Sequence, residues 1–189
     1  MLKNSTQGYG WVTIIIHWLV ALAVFSLFAL GYWMVDLSYY SDWYQTAPML
    51  HKSFGICLFA LMVFRIIWRL TNPKPKGLSN HQAWEKTVAK LGHFALYAIL
   101  FVLMISGYLI STADGRAISV FGWFDVPALL SGLPQQEEIA GDIHEILAWS
   151  LLVLSAGHAL AALKHHFIDK DSTLSRMLKP VNSTETRKQ

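Results

Sequence analysis

An all-α integral membrane four-helix bundle is the fold class this sequence predicts. Two observations carry it. Of 189 residues, 54% are apolar and only 14% charged, against about 25% charged in an ordinary soluble domain. The apolar residues also gather into four blocks, 11–36, 51–71, 90–112 and 144–164. Each is near the roughly 20 residues that cross a bilayer as a helix. A soluble bundle of buried helices would need polar faces at helical spacing, and these blocks lack them. The chain reads as one membrane domain with residues 165–189 as its tail.

The first block is too long for the roughly 7–15-residue apolar core of a secretion signal, and no small-residue cleavage site precedes the polar stretch at Asp36. It reads as a retained span. The second block opens on His51 and holds Cys57, the one cysteine, so an internal disulfide is ruled out. Between the second and third blocks, Asn72-Pro-Lys-Pro-Lys-Gly77 is a stiff basic linker, with His81 solvated beyond it. Residues 113–143 mix Val120, Phe121, Trp123, Phe124, Leu129 and Leu130 with Gly and Pro. That mixture predicts a short amphipathic piece or cap on the membrane surface. The fourth block closes the bundle. No internal repeat or low-complexity tract is evident.

Charge orients the spans. With four spans both termini share a side, and that side holds 13 of the 15 basic residues, Arg187 and Lys188 of the tail included. Lys52 and Arg116 alone fall on the other side, which carries Asp36, Asp42, Asp114, Asp125, Glu137, Glu138, Asp142 and Glu145. The positive-inside rule then places both termini in the cytoplasm. The basic balance is explained by this anchoring asymmetry and gives no argument for nucleic acid.

Burying imidazole among leucines is costly, yet the fourth block carries His144 and His158. Fourteen residues of α-helix advance ~21 Å and return within ~40° of the starting direction. The two histidines therefore share one helix face at two depths. His17, two turns into the first span from the cytoplasm, matches the depth of His158. His51, at the outer start of the second span, matches His144. Two facing pairs of neutral imidazoles suit two haem irons, each held on both axial sides inside a bundle. No Cys-x-x-Cys-His occurs, so covalent c-type attachment has no basis. A zinc or copper transport site is the rival. It would gather its ligands at one depth with Cys, Asp or Glu beside them.

Arg65 lies fourteen residues after His51 and so returns to the same face at the inner level. A charge inside a span is a functional candidate, and Arg65 is expected to face a propionate of the inner haem. A snorkelling arginine is the competing reading. Gly55, one turn after His51, and Gly157, beside His158, can admit a macrocycle or simply pack helices. His93, Lys164 and His165 gather on the cytoplasmic side as candidates for a quinone site beside the inner haem, with structural hydrogen bonding as the alternative for His93.

These residues sit in recognisable surroundings: IIIHWLVAL at 14–22, LHKSFGICLFALMVFRIIWRL at 50–70, LGHFALYAILF at 91–101, IHEILAW at 143–149 and GHALAALKHHFIDKDSTLSRML at 157–178. Together they resemble the bacterial cytochrome b561 family of four-span, di-haem proteins, across all four spans and the following tail. The resemblance puts the family's axial positions on His17, His51, His144 and His158. It implies electron transfer through two b-type haems in the inner membrane of a Gram-negative bacterium. Superoxide oxidation at the outer face and ubiquinone reduction in the membrane are reactions found in the family, which would make the chain an oxidoreductase. A superoxide site favours a positive outer surface, whereas the outer loops here are net acidic. The alternative within the family is a membrane anchor or electron conduit for a periplasmic redox partner.

Overall fold

The structure, a computed structural model, describes residues 1–78 and 82–180. His81, Arg187 and Lys188 lie outside the described residues. Four long helices dominate: α1 (Trp11–Met34), α2 (Thr46–Thr71), α3 (Ala83–Ser111) and α4 (Gln136–Phe167). All four are long and apolar enough to cross a membrane. Three begin before the apolar blocks do, because their first turns lie outside the apolar zone. Gln82 and Glu85 form a capping box at the start of α3, satisfying backbone N–H groups that the helix leaves unpaired. Glu137 and Glu138 open α4, where negative charge complements the helix dipole.

The helices pack as two hairpins, α1 against α2 and α3 against α4, with lighter contact of α2 on α3 and of α1 on α4. The hairpins have spacings in common. His17, Leu27 and Gly31 of α1 recur 76 residues later as His93, Leu103 and Gly107 of α3. His51, Leu58 and Arg65 of α2 recur 93 residues later as His144, Leu151 and His158 of α4. These are shared spacings at a few positions, with Arg65 standing where the other hairpin has His158. The two registers differ because one hairpin turns through 35–45 and the other through 112–135, and most lipid-facing positions have diverged. The histidine levels and the leucines between them are among the positions that keep the spacing.

The buried core comprises Ile16, Val20, Leu58, Met62, Leu100 and Leu151. Leu58 and Leu151 stand seven residues from each histidine-level position on their helix, about 10 Å at 1.5 Å per residue. Apolar side chains thus separate two levels, called outer and inner after the orientation that the charge asymmetry predicts. Many remaining large apolar side chains point outward, Leu22, Val153 and Leu160 among them, as lipid-facing residues do.

The 112–135 connection holds two short strands, β1 (Ile118–Val120) and β2 (Phe124–Val126), paired antiparallel. Where the sequence predicts a short amphipathic piece or cap, the connection forms a β-hairpin. Phe121 and Gly122 both have positive φ at its tip, as a primed turn requires. Ser53 of α2 anchors it: the Phe121 N–H donates to Ser53 Oγ at 3.0 Å. At the other end of the molecule, the Trp18 indole N–H donates to the Met177 carbonyl at 2.7 Å. The segment after α4, with its 3-10 turn (Ser175–Met177), therefore folds back onto α1 beside His17.

Candidate functional site

The outer level joins α2 to α4. The His51 and His144 ring centroids are 6.2 Å apart with planes at 70°. Each ring rests on the partner helix of its own hairpin. A Cβ built on Gly31 would lie 3.0 Å from His51 Cε1, and one on Gly107 would lie 2.9 Å from His144 Cε1. His144 Nδ1 meets the Leu103 carbonyl at 2.9 Å and Ser106 Oγ at 3.2 Å. His51 Nδ1 is buried with no hydrogen-bond partner among the described residues.

The inner level takes one residue from every helix. His17 and His158 have ring centroids 6.2 Å apart with planes at 73°. His93 stands 5.2 Å from His158. Arg65 Nη2 lies 3.2 Å from His17 Nδ1, and its Nε donates to the Tyr97 hydroxyl at 2.8 Å. The Arg65 and Arg69 guanidiniums both lie over the Tyr97 ring, 5.5 and 5.4 Å from its centroid. Arg65 therefore does reach the inner level, but in this structure it is turned to His17 and Tyr97. A guanidinium only donates, so His17 Nδ1 is the acceptor of this contact.

These distances bear on what the imidazoles can hold. Two imidazoles gripping one metal ion from opposite sides, each through a bond of roughly 2.0 Å, have ring centroids about 6 Å apart. His51–His144 and His17–His158 have that separation; His93–His158 is too close for it. A Cβ on Gly55 or Gly157 would meet nothing within 4 Å, so open space borders both pairs. The residues fit two bis-imidazole haem sites.

Lys164 and His165 are placed elsewhere. Lys164 Nζ bridges Glu85 at 3.0 Å and Asp169 at 2.7 Å, and His165 Nδ1 faces Asp169 at 2.7 Å and Asp171 at 3.2 Å. This network ties the end of α4 to the start of α3. Among the described residues, Glu85, His165 and Asp169 are the one group with ligand atoms close enough for a small metal ion, and the Lys164 ammonium already bridges two of them. No such group lies within the membrane among the described residues, which weighs against the zinc or copper transport reading.

At the outer end, Lys52 and Arg116 line one open cavity of about 550 Å³ with Met34, Tyr44 and Met49. Arg116 is paired with Asp114 at 2.5 Å. That pairing holds the Asp114 carboxyl below its ordinary range, the Arg116 hydrogen bond being the main cause. Lys52 has no ion pair among the described residues.

Four membrane-spanning helices with imidazoles paired across them define a membrane-embedded, cofactor-binding bundle. The family model described as prokaryotic cytochrome b561 matches residues 8–180. The chain is 54% identical to cytochrome b561 homolog 2 of Escherichia coli (strain K12), over 93% of both chains. It is 31% identical to the probable superoxide oxidase CybB of Yersinia pestis, over 91% of this chain and 96% of that one. It is also 31% identical to cytochrome b561 homolog 1 of Escherichia coli (strain K12), over 93% of this chain and 96% of that one. The chain belongs to the prokaryotic cytochrome b561 family and is a membrane electron-transfer protein of the b-haem class.

Sequence reasoning missed Gly31, Gly107 and Tyr97. The recurrence of His, thirteen intervening residues and Gly-Tyr in both α1 and α3 was the available signal.

Proposed function

We propose that the protein carries electrons across the inner membrane from a donor on the outer side to ubiquinone, through two b-type haems. His51 and His144 hold the outer haem, and His17 and His158 the inner one. The observation that carries this reading is the equal 6.2 Å separation of both imidazole pairs. A haem held by two imidazoles would supply one-electron exchange when bound.

The chain's own residues divide the remaining work. Were His17 to hold the group through Nε2, its ring proton would sit on Nδ1, and Arg65, which only donates, would be free for a carboxylate of that group. His93 sits beside His158 as a lining candidate for quinone. Quinone reduction takes up protons, and His93 with the Lys164–His165 network supplies titratable groups at that end. On the outer side, Lys52 and Arg116 sharing one cavity support a small anionic donor despite the acidic loops. The likeness to a probable superoxide oxidase is in keeping with superoxide. Trp123 and Leu129, both 81% exposed on the same side, support the second reading, a conduit for a periplasmic redox partner. Co-purification of such a partner would favour that reading.

Two measurements test the proposal. A pyridine haemochrome assay with electron paramagnetic resonance should give two low-spin b haems per chain, and single His17, His51, His144 and His158 alanine variants should each lose one. Retention of both haems in all four variants would sink the ligand set. Reporter fusions at residue 189 and within 113–143 should place the first in the cytoplasm and the second outside. The reverse result would exchange inner and outer levels.

A further inference from the structure

We propose that Gly31 and Gly107 are positioning residues for the outer haem. With the Leu103 carbonyl on the His144 side, they seat the His51 and His144 rings, leaving each Nε2 as the nitrogen offered to the iron. The inference rests on the bis-histidine reading above.

The same device occurs twice. In each hairpin a leucine carbonyl and a glycine lie four residues apart, one helical turn, and so face the same way. In α3 the carbonyl meets Nδ1 of His144 on the next helix, and in both hairpins the glycine underlies Cε1 of the histidine ring. Among the membrane glycines, Gly55, Gly92, Gly141 and Gly157 would each accept a Cβ with nothing within 4 Å. Gly31 and Gly107 alone of this set are pressed by a side chain, and in both cases it is an imidazole of the outer pair. On His144 the Leu103 carbonyl can only accept, so Nδ1 carries the proton and Nε2 is bare. A hydrogen bond on the far nitrogen is the usual way a protein fixes the tautomer and angle of a metal-binding histidine.

A methyl group at either glycine would therefore act in a particular way. An unligated ring is the end of a side chain and can turn aside. A ring bonded to iron through Nε2 and tied to a carbonyl through Nδ1 cannot. The added methyl is thus tolerated by the empty bundle and felt when haem binds, while Gly→Ala itself favours the helix. The two seats are unequal. His144 has the Leu103 hydrogen bond, the Ser106 hydroxyl and the tighter glycine; the Ser106 position corresponds to Leu30 in α1, which has no hydroxyl.

The test compares Gly107→Ala, Gly31→Ala and Gly92→Ala in the full chain purified from membranes, read by haem-to-protein ratio and electron paramagnetic resonance. Gly107→Ala should fall from two haems towards one, the surviving signal being the one that His17→Ala removes. Gly31→Ala should keep both haems but shift the g values of the outer signal alone. Gly92→Ala should match the parent. Should Gly107→Ala not accumulate, Gly31→Ala decides. Parental haem content and unchanged signals in both the Gly31 and Gly107 variants would overturn the proposal, and the ligand reading would survive if His144→Ala still lost one haem. Two low-spin haems in His144→Ala would instead bring down the ligand reading, and this inference with it.

Discussion

The outer and inner levels are built on shared spacings, yet they differ in kind. Exchanging the hairpins maps the outer level onto itself: His51 becomes His144, Gly31 becomes Gly107 and Leu27 becomes Leu103. The inner level does not survive the exchange. His17 maps to His93, but His158 maps to Arg65. One guanidinium in place of an imidazole leaves three histidines and a cation where symmetry would give four histidines. The outer level is therefore an apolar, glycine-seated pair, and the inner level a polar cluster with Tyr97 and Arg69 attached. Two sites on one scaffold can be tuned apart by one side chain, because the field of a single charge is strong where the dielectric is low.

The comparison breaks most severely if a ligand is removed. His144→Ala should halve the haem content and abolish the outer signal, and His158→Ala should do the same for the inner one, measured by haemochrome and low-temperature resonance spectra. His93→Ala, at the symmetry-related position of His17, should keep both haems; loss of the inner haem there would mean that His93, and not His17, is the partner of His158. Arg65→Gln comes next. Reducing the iron adds a negative charge, which a nearby cation favours, so the variant should lower the inner potential by roughly tens of millivolts and leave the outer nearly unmoved. A redox titration superimposing on the parent at both levels would remove Arg65 from the site and restore the snorkelling view. The smallest effect belongs to Ser106→Ala. Loss of a hydroxyl 3.2 Å from His144 Nδ1 should shift the outer potential alone, by less than Arg65→Gln shifts the inner. A shift at the inner level would show that the levels are not independent.

The parts of this structure legible in the sequence are those set by a single helix. Fourteen-residue spacing puts His51 with Arg65, and His144 with His158, on common faces, and hydropathy places all four spans. Contacts between helices were harder to read. Arg65 was placed at the inner level, but its partners His17 and Tyr97 come from α1 and α3 and depend on which helices are neighbours. Gly31 and Gly107 matter through a ring on another helix, whereas Gly55 and Gly157, chosen for adjacency along the chain, face open space. The β-hairpin escaped because three-residue strands are too short for an alternating pattern to emerge. Lys164 and His165 read as interfacial groups. Their commitment to Glu85, Asp169 and Asp171 draws on a carboxylate 79 residues away as well as two nearby.

Among the described residues, Trp18 waits longest for a side-chain hydrogen-bond partner, since the Met177 carbonyl lies 159 residues further along the chain. While the protein is being synthesised, both hairpins can enter the membrane and the outer level can close before that carbonyl exists. α1 and α4 touch each other lightly, and the last part of the described chain reaches back to α1 at the end of the bundle that holds His17. The final clasp is made by residues that never cross the bilayer.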